Sequence, residues 1–348
     1  MRLTKRAVVS ASAVTALLAP VATTTATAAS ALPSQRTSQT ATSAITVTAT
    51  IPLGNTGATG IATNPVTNTI YVVGPAGGIV GIASVINGRT NTVVARIPIG
   101  SEPQGVATNP LTNTTYVANV FSNAVSVISG QTNTVVATVP VGSQPFGVAA
   151  NPLTNTIYTA NVADNSASVI SGHTNTVVAT VSPLGPPSNQ PFGVAANPLT
   201  NTIYVASPDF PGNALSVIDG RKNTVVATVP TGTNSDPFRV AVNPLTNTIY
   251  VTNPVFDTVS VVSGRTNMVT ATIPVGNDPL GVAVNPLTNT IYVTNVVDDT
   301  VSVISGRTNM VTATVRVGLF PRAVAVNPLT NTVYVANDGS STVSVLTP

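Results

Sequence analysis

The chain has 348 residues, of which 7% are charged, with one His, no Cys, no Trp and 4% aromatic side chains. Without a thiolate it offers no thiol nucleophile, CxxC redox pair, cysteine-ligated zinc or iron–sulfur cluster, or CxxCH haem attachment, and a lone His excludes any two-histidine dyad. A hydrophobic fraction of 43% at this length provides for a large core rather than disorder, and the formal charge of +3 has meaning only once the charges are located.

Location begins at the N-terminus. Arg2, Lys5 and Arg6 form a positive n-region, residues 7–22 are apolar apart from Ser and Thr, and small residues lead to Ala-x-Ala sites at Ala26-Thr27-Ala28 and Ala29-Ser30-Ala31. The pattern predicts a secretory signal peptide over residues 1–28, cut at about 28 to 31. A membrane anchor needs about 20 apolar residues, and this run is shorter and holds Pro20. Cleavage removes three cations and leaves ten basic against ten acidic residues. The expected mature charge is zero, so a nucleic-acid role loses its basic footprint. Residues 29–43 are rich in Ser, Thr and Ala and read as a flexible linker.

From residue 44 to 348 one pattern recurs seven times, anchored by Asn64, Asn109, Asn151, Asn197, Asn243, Asn285 and Asn327, each followed by Pro. Spacings of 42 to 46 residues are the period of propeller blades. Each of the seven tyrosines stands seven residues after an anchor, which points to packing before chemistry. The sixth unit reads as four strands: Gly281 to Val284, Thr290 to Thr294, Thr300 to Ile304, and an alternating run from Met310 to Val315. Between the first two, the Asn-Pro-x-Thr-Asn-Thr link suits a tight turn, with Pro presetting φ and the second Asn tolerating a left-handed backbone.

The last unit ends at a third strand, Thr342 to Leu346, while residues 46–54 match the fourth strand and its exit at residues 268–276. Pairing the N-terminal strand, 45–54, with the C-terminal blade closes a ring. Pro52, Pro98, Pro140, Pro183, Pro230 and Pro274, with Arg316 in the remaining blade, mark the fourth strand as the outer edge. The expected fold is all-β, a seven-bladed β-propeller of four-stranded antiparallel blades.

Tyr250-Val-Thr-Asn253 and Tyr292-Val-Thr-Asn295, each preceded by NPLTNTI, resemble the YVTN family of β-propeller repeats found in secreted and surface-layer proteins of archaea and bacteria. Tyr71-Val-Val-Gly74, Tyr158-Thr-Ala-Asn161 and Tyr204-Val-Ala-Ser207 depart from the tetrapeptide. For function the resemblance implies a broad range, from surface scaffolds to lactonase-like hydrolases, lyases and electron-transfer domains.

Ring geometry places first-to-second and third-to-fourth turns on one end, the bottom, and the remaining loops on the top. Bottom turns repeat almost unchanged, whereas top loops vary, as a scaffold with a binding face requires. Asp164, Asp209, Asp257, Asp298, Asp299, Asp338, Glu102, Asp236 and Asp278 fall in top loops, while Arg89, Arg221, Lys222, Arg265 and Arg307 fall in bottom turns, where His173 and Gln131 fill the same slot. Either the top face is acidic and attracts cations, or loop acids cap turns and loop cations solvate hairpins.

The repeat breaks its own rule at the channel mouth. Four residues before the anchor stand Gly60, Gly105, Gly147, Gly193 and Gly281, but Arg239 and Ala323 in the other blades; one residue earlier stand Thr59, Gln104, Phe146, Phe192, Phe238, Leu280 and Arg322. Gln104, Phe146, Phe192, Phe238, Arg239, Leu280 and Arg322 thus form a candidate ligand-binding rim, partly apolar with two anion-binding forks. The alternative pairs Arg239 and Arg322 with Asp236, Asp278 or Glu102. Those three acids are also the candidate metal ligands, for Ca²⁺ or another divalent cation, and no haem or iron–sulfur ligand set is visible. No catalytic residue is assigned. His173 lies opposite the variable loops, which argues against catalysis.

Two functions fit. One is a secreted or cell-surface binding or structural scaffold acting through a variable acidic top face, monomeric, with a protein or carbohydrate of the cell envelope or surroundings as partner, and with neither nucleic-acid binding nor a membrane span after leader removal. The other is a metal-dependent lactonase-like hydrolase or lyase with its site at the top-face channel mouth.

Overall fold

The structure, a computed structural model, describes residues 45–348 except 55, 78–79, 186–189, 209–212 and 233–234. The expected signal peptide and linker, and Asp209, lie outside the described residues. No described helix is long and apolar enough to cross a membrane.

Seven four-stranded antiparallel sheets form, each in simple order from first to fourth strand, and the first strands of successive blades pack against one another around a central channel. Blade 7 takes Pro321–Asn327, Thr332–Asn337 and Thr342–Thr347 from the C-terminus and Thr46–Pro52 from the other end of the chain. The closing pair aligns Ile51 with Val343 and Pro52 with Thr342. Just beyond it, Leu53 is fully buried, its N–H bonds Ser341 O at 2.9 Å, and its carbonyl accepts Arg96 Nη1 of blade 1 at 2.8 Å. The ring is therefore fastened by backbone pairing, a buried leucine and a charged donor at one seam.

Second and third strands, such as Thr290–Asn295 and Thr300–Ser305, are buried on both faces because blades stack face to face. Their residues are accordingly apolar or small without strict alternation. Fourth strands such as Met268–Pro274 alternate with the outer face exposed, and their prolines or Arg316 sit where one ladder partner is missing, except in blade 3, where Pro183 lies just beyond Thr176–Val181. The expected unbroken alternation is corrected in one respect: a bulge inserts a residue in this strand of each blade, as where Val261 pairs Ala271 but Val262 pairs Val269. At the inserted position Thr270, Thr312 and Thr48 return their hydroxyls to third-strand carbonyls at 3.1 to 3.2 Å. An extra residue increases local twist, which the outermost strand of a propeller blade must supply.

Seven apolar clusters lie between blades rather than within them. Tyr334, Val343 and Ile51 of blade 7 pack on Ile61, Ile70 and Val72 of blade 1, and Tyr204, Leu215 and Val229 of blade 4 on Ile249 and Val251 of blade 5. Every tyrosine is at most 2% exposed. Burial raises all seven phenol pKa values, those of Tyr116, Tyr158 and Tyr204 to about 12.

The bottom end explains the invariant NP-x-TN segment. In each blade the anchor Asn accepts the backbone N–H two residues on, at 3.0 to 3.1 Å, which closes the turn on the proline. Its amide reaches the second Asn of the next blade at 2.7 to 2.8 Å, running from Asn64 to Asn113 and finally from Asn327 back to Asn68. Seven side-chain bonds thus encircle the channel. The second Asn holds a left-handed φ of 50 to 54°, as expected from sequence.

Candidate functional site: the channel mouth

Among the described residues no such ring forms at the top end. Inner strands approach closely there: a Cβ on Gly105, Gly147 or Gly193 would lie 2.3 to 2.5 Å from the carbonyl oxygen of Phe146, Phe192 or Phe238 in the following blade. Glycine is required where that approach holds. In blade 5 the inner strand is the shortest, Val240–Asn243, and the segment before it carries Arg239 instead.

The three phenylalanines come from consecutive blades and converge. Phe146 meets Phe192 edge-on at 5.0 Å and Phe238 edge-on at 5.8 Å, while Phe192 and Phe238 stack at 4.9 Å. The Arg239 guanidinium lies over Phe146 at 4.7 Å and near Phe238 at 5.6 Å. Gln104, buried, donates Nε2 to Glu102 at 3.0 Å, and Glu102 itself turns the chain with φ 51°. Leu280 is half-buried and lends its carbonyl to the Thr252 hydroxyl at 3.0 Å. The rim is thus divided, aromatic on the side of blades 3 to 5 and polar on the side of blades 1, 2 and 7.

Beneath it the channel holds a cavity of about 140 Å³, lined by the glycine layer, by Thr59, Gln104, Arg239 and Arg322, and by β-branched residues including Ile61 and Val194. The two arginines differ in neutralisation. Arg322, 45% exposed, pairs through Nε with Asp338 Oδ2 at 3.2 Å. Asp338 also accepts Ala58 N at 2.9 Å, so this partner is fixed from two directions. Arg239 has no carboxylate within 4 Å among the described residues. Burial and the neighbouring Arg322 charge lower its pKa to about 10, so it remains charged at neutral pH. The expected pairing of these arginines with Asp236, Asp278 or Glu102 is corrected: Asp338 takes Arg322, and Phe rings take Arg239. Asp338 was visible in sequence only as one loop acid among many.

Glu102, Asp236 and Asp278 lie in three separate linkers, and no group of three His, Cys, Asp or Glu side chains that could hold a metal forms among the described residues. Burial raises the carboxyl pKa of Asp236; burial and Asp257 raise that of Asp278, against a lowering by Arg322. Most loop acids act on backbone: Asp164, Asp257, Asp298, Asp299 and Asp338 accept N–H groups of Ser143, Asp278, Asn277, Phe320 and Ala58. His173 is exposed in its bottom turn, its N–H capped by Ser171 Oγ at 3.3 Å.

A second repeated device holds the top loops. Asn119, Asn161, Asn253, Asn295 and Asn337 close the second strand, and each Nδ2 reaches the Ser hydroxyl seven residues on at 2.9 to 3.0 Å. In the first blade Gly74 replaces it because a Cβ would fall 1.9 Å from the Gly57 carbonyl oxygen.

The chain matches no protein-family model and no curated protein sequence. Among solved structures it is similar to a chain of hydrazine synthase from Kuenenia stuttgartiensis, with a TM-score of 0.74 and 21% identity over 84% of this chain and 96% of that one. At that identity the likeness shows the propeller fold alone.

Proposed function

We propose that this protein is a secreted or cell-surface propeller of the YVTN repeat type, acting as a binding or scaffold module through its top end. One observation carries the reading: a frame with near-perfect sevenfold regularity at the bottom carries, at the opposite channel mouth, a convergent aromatic and cationic cluster that no repeat requires. Aromatic and Arg side chains are the residues that dominate recognition surfaces. The repeat-type assignment rests on the tetrapeptides at Tyr250 and Tyr292, and secretion rests on the leader-like residues 1–28. Acidic residues in the surrounding top loops favour a partner with a cationic patch, although those that hold linker amides present less charge outward.

Two measurements test this. Expression of the full sequence in a secreting host, with N-terminal sequencing of the exported product, should give a start after residue 28 to 31; retention uncut inside the cell contradicts secretion. Glycan and protein arrays probed with the exported protein should return a partner whose capture is lost on Phe192→Ala. Capture that persists unchanged in that variant places binding elsewhere.

A further inference from the structure

We propose that the cavity at the top of the channel binds a small organic monocarboxylate, held by Arg239 beneath the Phe146, Phe192 and Phe238 cluster. The proposal rests on reading the top end as the binding end, and it adds a ligand class and an anchoring atom.

Charge is the first argument. Arg239 is surrounded by protein yet keeps part of its surface open to the channel, and its charge is opposed by Arg322 rather than balanced by any described carboxylate. Arg322 is already served by Asp338 at 3.2 Å, with Asp278 also within electrostatic reach. One cation is left over in a half-buried place, where an unpaired charge is costly. A bound anion between the guanidinium and the cavity relieves both desolvation and like-charge repulsion, and a carboxylate matches the planar fork. One unbalanced cation calls for a monoanion, not a dianion.

Shape and polarity supply the second argument. Arg239 stands where five of the other six blades have glycine and the sixth has Ala323, so the long side chain occupies a position the frame does not demand. The cation–π contacts to Phe146 and Phe238 orient the guanidinium while leaving its N–H groups without a described acceptor. A cavity of about 140 Å³ has room for a few non-hydrogen atoms, roughly four or five waters by volume. Its lining sets Thr59, Gln104 and glycine backbone beside β-branched side chains such as Ile61 and Val194, which leaves space for only a short body attached to the charged group.

The test is a thermal melt and calorimetric titration of the whole exported protein with sodium propionate, with sodium chloride at equal ionic strength, propionamide and inorganic phosphate as comparisons. Propionate should raise the melting temperature in a saturable way, with little effect from chloride or the neutral amide. Arg239→Met should weaken propionate binding at least about tenfold, and Arg239→Lys less, because a point charge keeps attraction but loses the fork. No saturable response to propionate, an equal response to propionamide, or an unchanged response in Arg239→Met overturns the proposal; a stronger response to phosphate overturns the monoanion assignment. Should Arg239→Met fail to fold, the propionate and propionamide pair in the unmodified protein still decides. Because it reads channel occupancy, a negative array leaves this test standing, and a negative titration leaves macromolecular capture standing.

Discussion

The two ends of the channel are built from the same seven strands and obey different rules. At the bottom, seven Asn–Asn bonds of 2.7 to 2.8 Å repeat from blade to blade, including across the seam. At the top, the same strands carry Phe, Leu, Gln, Thr or Arg at one level, and contacts join some blades but not others. Sequence identity among repeats is maintained where every blade makes the same contact with its neighbour. It lapses where side chains meet across the channel, because those contacts are made once per molecule. Regularity marks the frame and irregularity marks the candidate site.

The largest test of the frame removes closure. Deleting residues 45–52 exposes the Thr342–Thr347 edge and strips Ile51, 2% exposed, from the seam. Ile51→Ala alone should cost about 2–5 kcal/mol. The deletion should cost more and promote aggregation, and an unchanged melting curve contradicts closure by this strand.

Alkali attacks the same frame through the tyrosines. Their folded pKa values lie above the ordinary 10, to about 12 in three cases, so the folded state keeps protons that the unfolded chain gives up. Their contribution is fully present below pH about 10 and is lost as pH rises toward about 12. With no Trp in the chain, tyrosinate absorbance reads this directly. It should rise together with loss of β-structure, whereas titration near pH 10 with the fold intact refutes interblade burial of the phenols.

A smaller loss should follow Asn243→Ala. It removes the amide bond to Asn289 and the turn bond from Leu245 N, leaving a half-buried acceptor without its donor, for about 1–3 kcal/mol by denaturant titration. The smallest effect should come from Leu245→Ser, also in a bottom turn but 61% exposed, at about 0.5 kcal/mol or less. A large loss there would show that the exposed leucines are covered by something in solution.

The frame was legible in the sequence because its determinants are local and repeated. Proline at the outer edge, Asn in left-handed turns and Tyr at fixed spacing each report a constraint met seven times. The Asn ring itself was not read, although both partners are invariant in all seven copies: turn chemistry alone explained each residue, and a bond across 46 residues such as Asn243 to Asn289 needs the ring radius. The bulge in the fourth strand was missed because Val or Thr at that position fits alternation equally well. At the top, residue types were legible and partners were not. Arg322 pairs with Asp338 rather than with Glu102, Asp236 or Asp278, because the pairing of Pro321 with Asn337 brings the residue after the second strand beside the start of the first.

The division between ends is tested most directly by melting Asn243→Ala and Arg239→Met side by side, each with and without propionate. Asn243→Ala should melt lower yet keep its propionate shift, while Arg239→Met should melt close to the unmodified protein and show no shift at a propionate concentration that half-saturates the unmodified protein. Loss of the propionate shift in Asn243→Ala with its retention in Arg239→Met would contradict the assignment of stability to one end and binding to the other.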